Sequence, residues 1–472
     1  MQKNKLIKHT AIMTVVNLIM RSAGVGFNAY LTSKIGSSGM GLFQLVMTVY
    51  SLATTFSSAG IRLATTRVAV EINTLKKNDM KKSVSACVTY AGISGCLTGF
   101  FLFGFSDFIS IHWISNTQTA LPLRILSLSL PFVAMSSALG GYFTAIEKIP
   151  QYSVVQFLEQ IFKIIVTVFI LFVQPSGSTL FSCIAIVAGM TSAEIFSFTL
   201  SSFLKKRTMT SKSTKPALDA KKMLRVALPD AAGTCARSIL LTFEHLLIPK
   251  GFRKSGEGSD EALAAYGNIH GLALPVLLFP SAILSSLSAL LVPELAAMNE
   301  KNEKSNINTT VRENLKKSFT FSVICGIIFA GFAPLISKLV YKTNEAVMYI
   351  RILSPLVPIM YIDMITDGML KGLDQQVNSM RYNIIDSALC VALVYFLLPK
   401  YSVKGYIFIL YASEIINFYL SFGRLIKICD VRLFSGLQEG NPRVFCRKKR
   451  SISPEEYEFR AFQGQGKRSQ GL

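Results

Sequence analysis

The chain has 472 residues, 51% of them hydrophobic and only 16% charged, a balance that excludes a disordered protein and an ordinary soluble domain. The charge is lopsided as well: 49 Lys+Arg against 27 Asp+Glu leave a formal +22. Such an excess marks either a nucleic-acid partner or the basic loops of a membrane protein, and the positions of the cations decide between them.

A helix that crosses a bilayer needs about 20 mostly apolar residues. Twelve segments qualify, at 9–33, 40–70, 84–107, 119–145, 150–173, 178–204, 223–249, 263–293, 318–340, 346–370, 378–398 and 403–428. The basic start MQKNKLIKHT leads into the first with no small-residue cleavage site, so it reads as a retained helix rather than a secretory signal. Gly60, Pro131, Pro280, Pro293, Pro355 and Pro358 fall inside spans, where neighbouring helices satisfy the freed backbone groups. With the loops assigned alternately, one side of the membrane holds 23 Lys+Arg and the other 8. Cytoplasmic loops carry such an excess, so both termini are expected inside, and a nucleic-acid partner is not expected.

The longest connection, KKRTMTSKSTKPALDAKK (Lys205 to Lys222), divides the spans six and six. The predicted organisation is a first six-helix bundle at 1–204, a cytoplasmic linker at 205–222, a second bundle at 223–428 and a polar, basic, disordered tail at 429–472. The halves are similar. At an offset of 227, Arg124, Ser127, Pro131, Gly141, Glu147 and Glu159 align with Arg351, Ser354, Pro358, Gly368, Asp374 and Asp386. At 220, AEIFSFTLS aligns with SEIINFYLS and matches Glu194 with Glu414; at 216, Arg21-Ser22 falls on Arg237-Ser238. A six-helix unit has even parity, so the copies share one orientation and form a parallel repeat, with a substrate path between them.

The eight cysteines show no C-x-x-C and no nearby His at metal spacing, so they read as reduced packing thiols and no metal site is predicted. No P-loop, G-x-S-x-G or H-E-x-x-H is present, and no soluble domain is large enough to hold a nucleotide, so an enzyme is not expected.

Charges inside the bilayer are the informative letters, since each costs a few kcal/mol unless it meets a partner or a wet cavity. Asn17, Arg21, Gly24 and Asn28 share one face of the first helix, with Arg21 about 18 Å along the axis from His9 and so near mid-bilayer. Asp230, Arg237 and Glu244 share one face of the seventh. Two arginines from equivalent helices suit a phosphate or diphosphate, with Asn17 and Asn28 bonding sugar or phosphate oxygens. A purely structural alternative pairs Arg237 with Asp230 or Glu244 and Arg21 with broken backbone near Gly24 and Gly26. Arg62 either snorkels to the interface or lines the cytoplasmic mouth. Glu159, Asp386, Glu194, Glu414, Asp230 and Glu244 are candidate ion-coupling carboxylates, with helix packing as their plainer role. Lys163 lies one turn after Glu159, whereas Asp386 has Cys390 at the equivalent place. His245 and His270 lack metal spacing and read as satisfied polar residues.

The stretch from Arg21 to Glu71, with Arg21, Gly24, Phe27, Asn28, the IGxxGxGLFQL run (Ile35 to Leu45), Gly60-Ile61 and Arg67…Glu71, resembles the opening of the stage V sporulation protein B family of polysaccharide transporters. That family lies in the multidrug/oligosaccharidyl-lipid/polysaccharide exporter superfamily. The resemblance implies an all-α membrane protein of two six-helix bundles that works by alternating access, without a cofactor but with Na+ or H+ coupling. It implies a lipid-linked saccharide as substrate, such as an undecaprenyl-diphosphate peptidoglycan or polysaccharide precursor, and a role in spore cortex or cell-wall synthesis. Lipid II flippases use arginines of the first helix, and Arg21 fits that description. Family members commonly continue into two further helices, whereas this chain turns polar near Asp430. The alternatives are a cation-coupled multidrug exporter of the same fold and a non-transporting membrane scaffold of a wall assembly complex.

Overall fold

The computed structural model describes residues 2–75, 80–173, 179–208 and 220–429, and every regular element among them is helical. Lipid offers the backbone no hydrogen bonds, and a helix satisfies its N–H and C=O groups internally. The first helix, Gln2–Ser58, breaks at Gly36, whose φ of 69° glycine adopts without steric cost. It divides into α1 (2–35) and α2 (37–58), and α2 resumes after a kink at Ala59 and Gly60 as Ile61–Leu75. Helix α3 is Met80–Gly104, and α4 joins Ala120–Ser127 to Leu130–Ala145 at a 45° bend. Then follow α5 (Ile149–Val173), α6 (Thr179–Thr208) and α7 (Ala220–Lys254). Helix α8 has two limbs, 259–277 and Ser281–Glu300. Helix α9 is Lys304–Tyr341, and α10 joins Val347–Leu353 to Val357–Gly372. The last helix, Gln376–Cys429, breaks at Ser402 into α11 (376–401) and α12 (403–429).

Among the described residues, twelve helical segments thus stand where twelve apolar runs were read, with three corrections. The runs 40–70, 119–145 and 263–293 are not continuous helices. Gly60 takes a φ of 70°, and Pro280, which lacks an N–H, caps the second limb of α8. The centre of the predicted linker, 209–219, and the tail from Asp430 lie outside the described residues.

The repeat reaches the backbone. Left-handed Ser115 and Glu147 (φ 60° and 58°) recur 227 residues on as Lys342 and Asp374 (57° and 58°). The bend of α4 at Leu128 falls at the same offset from the Ser354–Leu356 turn of α10. In both halves a glycine lets two helices close: a Cβ on Gly95 of α3 would lie 2.5 Å from Pro131 Cα, and one on Gly326 of α9 would lie 3.1 Å from Ser354 O.

The lipid-facing surface is apolar, with Phe100, Phe172 and Leu339 each at least 71% exposed. The halves meet where α1 and α2 pack on α7 and α8. At the end of the bundle near Gly36 the approach is closest: Cβ atoms on Gly41 and Gly267 would lie 2.0 Å from Leu263 O and 2.2 Å from Ser37 O.

The glycine contacts carry a stability prediction. Gly95→Ala should destabilise the protein by about 1–3 kcal/mol, since the obstructing atoms are backbone and cannot swing aside. Gly331→Ala, with nothing within 4 Å, should leave stability unchanged or raise it by up to about 1 kcal/mol. Thermal unfolding in detergent compares the two.

Candidate functional site

The break in α8 leaves carbonyls that continuous helix would have satisfied, and three side chains take them. Tyr361 OH of α10 donates to Leu277 O at 2.6 Å, and Ser281 Oγ donates to Leu278 O at 2.7 Å. Arg21 Nη1 donates to Leu278 O and to Ser281 Oγ, both at 2.7 Å. Arg21 is part-buried, so a guanidinium from the middle of α1 sits on the break of a helix in the other half. On the same face of α1, Asn17 is exposed and Asn28 is part-buried.

Arg237, the repeat counterpart, has different surroundings. It is exposed, and lies within charge range of Asp363 on α10, Asp386 on α11 and Glu414 on α12. Glu244, buried on α7, is in turn near Asp386. Ser413 Oγ donates to Asp386 Oδ1 at 2.6 Å, and Asn417 Nδ2 to Asp363 Oδ2 at 3.0 Å. Asp363 Oδ1 and Asn417 Oδ1 are buried with no hydrogen-bond partner among the described residues. One guanidinium therefore faces three carboxylates, with Glu244 beside one of them, and its charge is spent on them rather than held ready for an anion. The side chain of Asp230 lies outside the described part.

The first half has its own cluster. Ser197 hydrogen-bonds Glu159, and Lys163 stands within charge range of both Glu159 and Glu194. Lys163 Nζ also lies 5.8 Å from the centroid of the Phe27 ring on α1. Tyr50 OH and Ser129 Oγ pair nearby at 2.6 Å. Arg62, exposed on the second limb of α2, stands 5.8 Å from the centroid of the Tyr152 ring. Arg21, Arg62 and Arg237 are thus held by three separate sets of partners.

Beside these polar clusters, α2, α3 and the connector 105–113 enclose an apolar pocket of about 390 Å³, lined by Phe56, Phe101, Phe105, Phe108 and Trp113 among others. Trp113 packs on Phe243 of α7 with ring centroids 6.2 Å apart, and Lys250 Nζ donates to His112 O at 2.7 Å, so both halves contribute to this corner.

Reasoning from the sequence missed Asp363, Asn417, Ser281 and Tyr361. Asp363 had a signal, a carboxylate at mid-span between Pro358 and Gly368 with no interface in reach. Ser281 and Tyr361 had none, because their role exists only through the break in α8.

Two bundles of six helices, bent and broken at equivalent places with buried charge at the seam, define a multi-pass membrane protein with a transporter fold. The chain belongs to the polysaccharide biosynthesis protein family, whose model matches residues 6–299; the MatE model matches residues 255–397. Stage V sporulation protein B of Bacillus subtilis (strain 168) is 23% identical over 412 residues, 85% of this chain and 79% of that protein. Among solved structures, lipid II flippase MurJ in an inward closed conformation superposes with a TM-score of 0.68 at 15% identity, over 87% of this chain and 86% of that one. An inward-facing multidrug resistance MATE family transporter of the MOP superfamily superposes with a TM-score of 0.65 at 13% identity, over 89% of this chain and 99% of that one.

Replacing Arg237 tests its place among the carboxylates. Arg237→Ala should lower the thermal midpoint by a few degrees, and adding Glu414→Gln should recover part of the loss, because one of the uncompensated charges is then gone. No recovery in the double variant would place Glu414 outside the cluster.

Proposed function

We propose that the protein flips a lipid-linked saccharide, an undecaprenyl-diphosphate-linked peptidoglycan or polysaccharide precursor, by alternating access between bundles 1–204 and 223–428. The positive-inside count supports an orientation with both termini and the linker in the cytoplasm, and in that orientation the Gly36 end is external. The observation that carries the reading is the Arg21 guanidinium at the seam, bonded to the break in α8. A diphosphate is a stronger partner for a guanidinium than a neutral carbonyl and hydroxyl, and it can take two parallel bonds from the fork. Cargo therefore competes with α8 for Arg21, and binding loosens the seam between the halves. Asn17 and Asn28 flank the arginine as neutral donors, and Arg62 adds a cation toward the cytoplasmic side.

Asp363, Asp386 and Glu414 around Arg237, with Glu244 beside Asp386, supply the coupling. Partner-less oxygens on Asp363 and Asn417 beside Asp386 and Glu414 suit a proton or a Na+ ion. Glu159 and Glu194 around Lys163 are the corresponding candidates in the first half. The apolar pocket walled by Phe101 and Phe105 gives a prenyl tail a place beside the path. The same acidic cluster favours a second reading, a cation-coupled exporter of organic cations. The family match and the cation at the seam weigh for the anionic lipid.

Expression in a Bacillus subtilis strain that lacks its stage V sporulation protein B tests the proposal. Restored sporulation with the wild-type chain and none with Arg21→Ala supports it. Efflux of cationic dyes together with equal rescue by both chains would favour the exporter reading.

A further inference from the structure

A third polar cluster lies at the Gly36 end. Inside the first limb of α8 the helix widens over Gly267–Ala273 into a π-helical stretch, a local cost that proteins commonly keep at working sites, and His270 stands within it. His270 Nε2 pairs with Tyr406 OH of α12 at 2.7 Å, and His245 Nδ1 of α7 pairs with Tyr266 OH of α8 at 2.9 Å. The two imidazoles meet edge to face with centroids 4.6 Å apart. Tyr266 and Tyr406 are fully buried, and both histidines are part-buried.

The cluster reaches across the seam. The Tyr266 hydroxyl also bonds the side chain of Thr48 on α2, and Thr48 Oγ1 donates to Gln44 O at 2.9 Å. Gly267, next to Tyr266, is the glycine pressed on Ser37 O and Gly41. The ionisable groups around the cluster are the two tyrosines that the imidazoles bond, Glu244 of α7 and Cys390 of α11, which lie within charge range of those tyrosines, and Tyr341 of α9, which donates to Leu272 O. Glu244 is the carboxylate among them.

We propose that His245 and His270 form a proton-binding site whose occupancy parts α2 from α8 at the Gly36 end. Each neutral imidazole has one nitrogen lone pair able to take a proton, and a tyrosine hydroxyl can switch between donor and acceptor to follow it. A proton taken up there puts an imidazolium among buried tyrosines, with Glu244 within charge range of both of them. It also turns both nitrogens of that ring into donors, so a Tyr266 hydroxyl that donates to neutral His245 must turn round and accept, which disturbs the link between α7, α8 and α2. The charged ring gains most from hydration, and water enters only when the Gly41–Gly267 contact opens. The cluster so converts proton binding into separation of the halves, whatever the cargo.

Spin labels at Lys34→Cys and Glu261→Cys, with Cys96, Cys235 and Cys446 replaced by alanine, report this contact in the full chain reconstituted in nanodiscs. As pH falls from about 8 to about 4, through and below the range in which a free imidazole changes charge, the distance distribution should gain a longer component. The His245→Asn/His270→Asn variant, neutral at both positions, should keep the short distance throughout. A wild-type distribution that ignores pH, or a double variant with an unchanged pH response, overturns the proposal. Should the double variant not fold, His270→Gln decides: a lost or displaced response supports the site, and an unmoved midpoint refutes it.

Discussion

Arg21→Ala should weaken binding of an undecaprenyl-diphosphate-linked saccharide by about 10- to 100-fold. A hydrogen bond to a charged partner contributes about 1.5–3 kcal/mol, and each 1.4 kcal/mol is a factor of ten in affinity. Arg21→Lys should fall between the two, because an ammonium keeps the charge and loses the planar fork that matches a diphosphate. Ser281→Ala separates recognition from latching. Ser281 is the hydroxyl that Arg21 holds in the structure, so its loss removes one of the two bonds that tie the guanidinium to α8 and should leave affinity unchanged or slightly raised. Titration of purified protein with the lipid in detergent, read by native mass spectrometry, compares the four proteins. Equal affinity of wild type and Arg21→Ala would remove Arg21 from the cargo site and leave it the bond to α8 alone.

Gly41→Val should hold the halves apart at the Gly36 end. Even one methyl at this position would lie 2.0 Å from Leu263 O, and Gly267 brings the facing backbone equally close to Ser37. Because both obstacles are main chain, the helices themselves must separate. Overpacking of this kind costs about 1–3 kcal/mol, and here the cost falls on the conformation in which α2 and α8 touch. The expected result is a lower thermal midpoint, together with faster reaction of a cysteine at Ser37 with a membrane-impermeant maleimide. Unchanged labelling with a lowered midpoint would show that the strain spreads into the bundle instead of opening the seam.

The places where the sequence was legible and where it was not follow from the range of the interactions. Spans depend on local apolar composition, and the repeat depends on residues matched in order, so both were readable, down to the offset of 227 that recurs in the left-handed residues. Gly60 and Pro280 were noted as tolerated residues, yet that each would break its helix was not legible, because an apolar run looks the same on either side of a kink. Charged partners were harder still. The intrahelical expectation brought Lys163 near Glu159 as spaced, but Glu194 joined from another helix. For Arg237 the same-helix candidates were Asp230 and Glu244, whereas the carboxylates it faces come from α10, α11 and α12. Asp386, left without a lysine, found Ser413. Arg21 lies within α1, but its partners lie 257 and 260 residues away in sequence. His245 and His270 face each other because α7 and α8 fold back between Lys254 and Ser259, so two residues that share no helical spacing stand at one level.

Direct translocation tests the proposed activity. The purified chain, reconstituted in liposomes with a fluorescent undecaprenyl-diphosphate-linked saccharide in both leaflets, is challenged with a membrane-impermeant quencher. Protein-free vesicles lose only the fluorescence of the outer leaflet. Wild-type vesicles should lose nearly all of it, as lipid from the inner leaflet is carried out, and Arg21→Ala vesicles should behave like protein-free ones on the same time scale. Quenching that stops at the outer leaflet with wild-type protein, under a proton or Na+ gradient of either sign, would contradict the account.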